Sequence, residues 1–119
     1  MKTNIIMAFP MRWAGDLCDK VKQDIPNVEI ESNLEQVIAR AKLNEIDRIC
    51  IIFGSFDTDG CACAEKIHAV NPSIPILIWD SLNLPEKRRT NEIYLNSKDY
   101  ETKDYWNTFY KFYNGILTE

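Results

Sequence analysis

The sequence lacks the features that mark membrane, secreted and nucleic-acid-binding proteins. No stretch approaches the roughly 20 apolar residues that a helix needs to span a bilayer. Residues 1–10 hold one lysine and a short apolar run with no cleavage-like ending, which predicts that there is no signal peptide. The net charge is −4, which disfavours general binding to phosphate backbones. We therefore expect a cytoplasmic protein with no membrane contact and no nucleic-acid partner.

Cysteine and glycine are too sparse for the common disulfide, metal and phosphate-binding patterns. The four cysteines of a cytoplasmic chain are expected to be reduced thiols. Cys61 and Cys63 lie two positions apart, and no second pair is present to close a tetrahedral zinc site. Gly54 follows an apolar run, but the further glycines and the lysine of a P-loop are missing. The sequence predicts no cofactor and no resident metal.

Short apolar runs alternate along the chain with segments of helical periodicity. The length of 119 residues suits a single domain over 1–119. The runs are typical of strands buried on both faces and lie at 5–9, 28–30, 48–53, 74–79 and, more weakly, 92–95. Apolar residues at helical spacing between them predict helices. One of these helices begins at Ser32, which has a capping-box spacing to Glu35. A long final helix is predicted over 102–117.

This alternation predicts an α/β protein with a parallel sheet that is covered on both faces. Five such units predict a flavodoxin-like three-layer sandwich with strand order 2-1-3-4-5. In that architecture the functional residues lie at the carboxyl ends of the strands, near the point where the strand order reverses.

The segment from Arg48 to Ser81 carries a family resemblance. A strand, a loop ending in Asp59-Gly60, a short helix and a strand with Pro75 near its start follow one another there. This order is similar to that of the receiver domain of bacterial two-component response regulators, and the order of elements extends the likeness to nearly the whole chain. The resemblance implies a CheY-like fold and a role in signal transduction.

Several positions depart from the receiver pattern. A working receiver holds Mg²⁺ with two acids after the first strand and an acceptor aspartate that ends the third strand. Here the acids fall on Ala8, Phe9 or Pro10, and the acceptor falls on Phe53 or Gly54. None of these side chains ligates a metal or accepts a phosphoryl group. The resemblance thus implies a pseudo-receiver, a non-enzymatic protein-binding module that works without phosphorylation.

An alternative function uses the loops at the carboxyl edge of the sheet, as a small flavodoxin-like enzyme or ligand-binding domain. Asp57 and Asp59 follow the third strand, and the receiver's hydroxyl position falls on Asp80 or Ser81. These four residues are the weak candidates for a ligand or cation site. The other interpretation is a solvated turn, since a metal site needs more hard ligands than these.

Cys61 is the candidate for a reactive thiol. Helical spacing places Cys63 on the core face with Ile67 and Val70, and it places Cys61 on the opposite face. The first helical turn favours a thiolate there through the helix dipole. His68 shares the face of Cys61 but lies about two turns away, which is too far for a Cys–His catalytic pair.

The last helix and a short basic cluster are the candidate interface. Apolar and aromatic side chains cover an arc of roughly 160° on that helix, where a core stripe needs only about 100°. The arc is either a wide core stripe or a stripe whose edge residues remain exposed. The edge residues are Tyr105 and either Phe112 or Tyr110. Lys87, Arg88 and Arg89 form either a solvated helix face or a partner contact. In receivers this face docks partners, so the resemblance implies a protein partner or a homodimer through the last helix.

Overall fold

Five parallel strands form one sheet in the part of the chain that the structure describes. The structure is a computed structural model, and it describes residues 2–9, 23, 25, 27–53, 60–80, 89–96 and 110–113. The strands are β1 (Thr3–Phe9), β2 (Val28–Ile30), β3 (Ile46–Phe53), β4 (Ile76–Asp80) and β5 (Glu92–Asn96). Their spatial order is β2-β1-β3-β4-β5, and every neighbouring pair is parallel. The predicted α/β fold and strand order are confirmed.

Apolar side chains on both faces of the sheet explain why these runs form interior strands. Along β3, Ile49 and Ile51 pack on one face, and Cys50 and Ile52 pack on the other. The first face is covered by helices α1 (Leu34–Lys42) and α2 (Gly60–Val70). A helical turn at 110–113 covers the second face. The sheet is thus the middle of three layers, as the uninterrupted apolar runs require.

The ends of several elements differ from the predicted ones. The cap of α1 is Asn33, whose side chain accepts a hydrogen bond from the Gln36 amide at 3.2 Å, so the predicted capping box from Ser32 is wrong. Val37 and Ala41 of α1 are buried against the sheet. β1 and β3 each begin two residues before the predicted position, and β4 begins two residues after it.

Three asparagines turn the chain into strands at the amino edge of the sheet, where the strands begin. Asn27, Asn44 and Asn91 have φ values of 56°, 57° and 60°. Asparagine tolerates this left-handed region better than most residues that carry a Cβ atom. The Asn91 side chain also donates a hydrogen bond to the Pro72 carbonyl at 2.8 Å. That contact fixes the turn that leads into β5.

The turn at 110–113 is fastened to the centre of the sheet. The Phe112 side chain is 1% exposed, and its ring meets the Tyr113 ring edge-on at a centroid distance of 5.1 Å. The Tyr113 hydroxyl donates a hydrogen bond to the Ile5 carbonyl of β1 at 2.9 Å. The prediction that Phe112 is an exposed edge residue is therefore wrong, because this turn presents both aromatic rings to β1 and its neighbours. Tyr110 is half-buried, and Tyr105 lies outside the described residues.

Phe112→Ala tests this packing. The substitution should lower the free energy of unfolding by about 3–5 kcal/mol, because it opens a cavity beneath the turn. Lys111→Ala is the matched control, since Lys111 is exposed and its truncation should change stability by no more than about 0.5 kcal/mol. Urea denaturation followed by circular dichroism measures both. Equal midpoints for the two variants would contradict the packing.

Candidate functional site

The carboxyl ends of four strands line up at one edge of the sheet. The register pairs Phe9 with Phe53, Phe53 with Asp80, and Asp80 with Asn96. Between β1 and β3 the strand order reverses, and ligand sites of open α/β sheets form at such a point. Phe9 and Phe53 therefore occupy the two backbone positions on either side of it.

The predicted ligand and cation candidates belong to this carboxyl edge. Asp57, Asp59 and Ser81 lie outside the described residues, and for Asp80 the structure describes the backbone alone. Their assembly into a site stays a prediction. Within the described part of the chain, no three histidine, cysteine, aspartate or glutamate side chains are grouped so that they could hold a metal ion.

A polar cluster that the sequence did not reveal lies between α2 and β5. We call it the Glu92 cluster, and its members are Glu65, His68, Arg89, Glu92 and Tyr94. Glu92 is the first residue of β5, and its side chain is 3% exposed. It is the one charged residue classed as buried in the described ranges. Burying a carboxylate is costly unless hydrogen bonds and opposite charges satisfy it.

Both carboxylate oxygens of Glu92 have cationic neighbours. Arg89 donates to Oε1 from Nε at 2.8 Å and approaches the same oxygen with Nη2 at 2.6 Å. The Tyr94 hydroxyl also donates to Oε1, at 3.1 Å. The other oxygen, Oε2, lies 3.4 Å from Nδ1 of His68, within ion-pair distance. Arg89 and the Tyr94 hydroxyl therefore compensate the buried charge, and His68 adds to this when its ring is protonated.

Arg89 carries the cluster across to α2. One Nη atom forms an ion pair with Glu65, and the other donates to the Cys61 carbonyl at 3.0 Å. Cys61, Glu65 and His68 follow one another at positions i, i+4 and i+7, which is one side of a helix. The planar guanidinium supplies the several donors that such a bridge needs. The cluster thus joins α2 to β5, a strand at the edge of the sheet.

The electrostatics of the cluster favour the charged forms of Glu92 and His68. Burial acts to raise the pKa of Glu92, but hydrogen bonds from His68 and Arg89 outweigh it and lower that pKa below its ordinary value. Burial acts to lower the pKa of His68, but hydrogen bonds to Glu92 and to the Ile74 carbonyl outweigh it and raise that pKa. For Tyr94, burial raises the pKa of the hydroxyl. Each of the two groups thus favours the charged form of the other, and their contact joins α2 to β5.

The structure places Cys61 differently from the prediction. Its side chain is 8% exposed and belongs to the core cluster with Ala64 and Ile67, whereas Cys63 is half-buried. The predicted position of Cys61 on an outer face is wrong, because its side chain packs in the core cluster at the edge of the face that carries Ala64 and Ile67. Cys50 is fully buried in β3, and burial raises the pKa of its thiol.

Of the three basic interface candidates, the structure describes one. Lys87 and Arg88 lie outside the described residues. Arg89 is described, and its side chain is 27% exposed while it binds Glu92 and Glu65. Its role inside the domain is therefore clear from the contacts, and its role in an interface stays a prediction.

Glu92→Gln should destabilise the domain. The amide removes the charge that Arg89 and His68 compensate, and breaking a buried pair typically costs about 3–5 kcal/mol. Because Arg89 keeps Glu65 and some solvent contact, we expect a loss of about 1–3 kcal/mol. Glu65→Gln is the control, since the Glu65 side chain is 68% exposed and should contribute no more than about 1 kcal/mol. Chemical denaturation near neutral pH decides, and equal losses would refute a special role for Glu92.

Alkylation should label Cys63 before Cys61 and Cys50. Cys63 is the most accessible of these three thiols, and a thiol reagent needs access as well as thiolate. A short pulse of iodoacetamide under native conditions, followed by fragment-ion mapping of the shared peptide, gives the order. Labelling of Cys61 first would restore the outer-face position that was predicted from helical spacing.

Comparisons with known proteins bear on the fold. No family model matches the chain, and no curated protein matches it either. A crystal structure described as RSP in complex with beta-NADH is similar to the chain, with a TM-score of 0.52 and 15% sequence identity. The match covers 98% of this chain and 65% of that one, so the chain spans about two thirds of its neighbour's length. Among the described helices, none is long and apolar enough to cross a membrane. The chain has a flavodoxin-like α/β fold.

Proposed function

We propose that this chain is a pseudo-receiver, a non-catalytic cytoplasmic module that acts in signalling or regulation by binding proteins without being phosphorylated. The observation that carries the proposal is the register at the carboxyl edge, where Phe9 stands beside Phe53. In a working receiver, acids and the phosphoryl acceptor occupy this part of the sheet. Two phenylalanines there favour a scaffold whose phosphorylation chemistry is gone.

The chemistry of phosphoryl transfer explains why this pair of residues matters. A bound Mg²⁺ neutralises the charge of the phosphoryl group, and a nucleophile must lie in line with it. Carboxylate oxygens serve both purposes, and a phenyl ring serves neither. The proposed module is therefore controlled by its partners or by its abundance, with no covalent input at this edge.

The proposed docking surface includes the last helix and the basic segment before β5. Phe112 leaves the set of interface candidates because it is part of the core. Tyr110 stays, since it is half-buried next to that core and keeps an outward part. Tyr105, Lys87 and Arg88 stay as predictions from the sequence. Aromatic side chains that are rigid and partly exposed often anchor protein interfaces.

The rival function is an enzymatic or ligand-binding one that uses Asp57, Asp59, Asp80 and Ser81. The similar solved structure contains beta-NADH, but a likeness at 15% identity transfers no ligand to this chain. NADH is nevertheless a useful probe, because a ligand that is selective for the folded state raises the melting temperature.

A phosphodonor experiment tests the pseudo-receiver proposal. The protein is incubated with acetyl phosphate and Mg²⁺, and its intact mass is measured beside that of a working receiver treated in the same way. We expect no gain of a phosphoryl group, because no carboxylate ends β3. A gain mapped to Asp57, Asp59 or Asp80 would overturn the proposal. A melting temperature that rises with NADH would instead favour the rival.

A second experiment tests whether the last helix forms a homodimer. Sedimentation velocity of the wild type and of Tyr105→Asp is run over a range of concentrations, with circular dichroism as the check on folding. If the last helix forms a homodimer, the variant should stay folded but form a weaker dimer. It should therefore be monomeric at protein concentrations at which the wild type is still a dimer. A wild type that is monomeric at every concentration would exclude the homodimer and leave a different protein as the partner.

A further inference from the structure

The His68 ring lies between two hydrogen-bond acceptors. Its Nε2 atom is 2.7 Å from the Ile74 carbonyl oxygen, and its Nδ1 atom is 3.4 Å from Oε2 of Glu92. A carbonyl and an ionised carboxylate only accept hydrogen bonds, so each of them needs a proton on the facing nitrogen. A neutral imidazole carries one such proton, whereas an imidazolium carries two. The site therefore fits the charged form of His68.

The proton between His68 and Glu92 belongs to the histidine. Oε1 of Glu92 already accepts from Arg89 and from the Tyr94 hydroxyl, and these donors favour an ionised carboxylate. A protonated Glu92 would lose the charge that Arg89 compensates. With Glu92 ionised, the neutral ring has only one proton, so its other nitrogen turns a lone pair toward either the Glu92 carboxylate or the Ile74 carbonyl, and the attraction of the ring's charge for Glu92 is lost.

We propose that His68 is a proton-dependent clasp between α2 and β5, closed when the ring is an imidazolium and loosened when the ring is neutral. In the closed form the ring bridges Glu92 of β5 and the segment that leads into β4. In the loosened form the end of α2 loses its electrostatic contact with β5. His68 is the chain's one histidine, so an imidazole titration in this chain belongs to this residue.

The charged groups around His68 come from three parts of the structure. Glu92 faces it from β5, and Arg89 acts on it from the segment before β5. Tyr94 of β5 bonds Glu92, and Glu65 of α2 pairs with Arg89, so both reach His68 only through these partners. The Arg89 charge opposes protonation of His68, and the Glu92 charge favours it. α1, β3 and β4 also pack against α2. The charges that act on His68 among the described residues are those of Glu92 and Arg89.

Arg89 limits how far the clasp opens. When His68 is neutral, Glu92 keeps both contacts with Arg89, so β5 stays charge-compensated in its place. The part that loosens is the last turn of α2 and the chain after it. There the backbone N–H of Asn71 donates a hydrogen bond to the Ile67 carbonyl at 3.0 Å. We therefore expect a local opening and no global unfolding.

The direction of the pH effect follows from the raised pKa of His68. A group whose pKa is higher in the folded state stabilises that state fully at pH values below its unfolded pKa, near 6.5. This contribution is lost as the pH rises through the folded pKa. The clasp is thus closed on the acidic side and loosened on the alkaline side.

Two measurements on the full chain test the clasp. Proton NMR follows the ring Cε1–H signal of His68, whose midpoint should lie above 6.5 in the wild type and fall toward 6.5 or below it in Glu92→Gln. Glu65→Gln is the control. Its His68 midpoint should equal that of the wild type and lie above that of Glu92→Gln. A wild-type midpoint at or below 6.5, or one that Glu92→Gln leaves unchanged, would overturn the proposal.

Amide hydrogen exchange tests the opening itself. After correction for the intrinsic rate, the Asn71 amide in the wild type should lose protection severalfold as the pH rises through the His68 midpoint. In His68→Gln its protection should not vary with pH in that range. Protection that falls equally in the variant, or that stays constant in the wild type, would refute the clasp. Because the wild-type arm requires no substitution, the test stands even if His68→Gln fails to fold.

Discussion

The burial of β3 on both of its faces is the constraint on which the rest of this structure depends. From Ile49 to Ile52 the strand offers no polar side chain, so neither face tolerates water. A parallel neighbour on each side satisfies its backbone, and helical segments above and below satisfy its side chains. The crossover connections that parallel strands need supply α1 and α2 on one face, and the turn at 110–113, which follows the last strand, covers the other.

β5 meets a different constraint, because it lies at the edge and is less apolar. Ile93 packs toward one face, while Glu92 and Tyr94 turn toward α2. Buried ion pairs are weak sources of net stability, since desolvation offsets most of the Coulomb attraction. Such pairs do tolerate few alternative geometries, and that property suits a strand with only one hydrogen-bonded neighbour in the described sheet. The Glu92 cluster gives β5 a defined position against α2 that apolar contact alone would specify less well.

The sequence predicted the features that depend on local pattern. Apolar runs located the strands, and the bounds of β2 at Val28–Ile30 were correct because a polar or turn-forming residue lies on either side. Features that depend on distant partners were missed. Cys61 appeared to be outward-facing because helical spacing alone does not show how far the core extends around α2, nor that Arg89, far along the chain, bonds the Cys61 carbonyl. A signal for the cluster was present: the polar stripe of Glu65 and His68 on α2 matches the polar face of β5, although nothing in either segment alone pairs the two.

The hydrogen bond from Tyr113 to Ile5 also has a consequence for how the protein is made. It joins residues 108 positions apart, and β1, which accepts it, lies between β2 and β3. During synthesis the strands can pair with α1 and α2 in place while Ile6, Cys50 and Leu77 still lack the cover of 110–113. A nascent chain at that stage lacks part of the cover over this apolar face, and transiently exposed apolar surface is prone to aggregation. This side of the core is therefore complete only after residues 110–113 have been made.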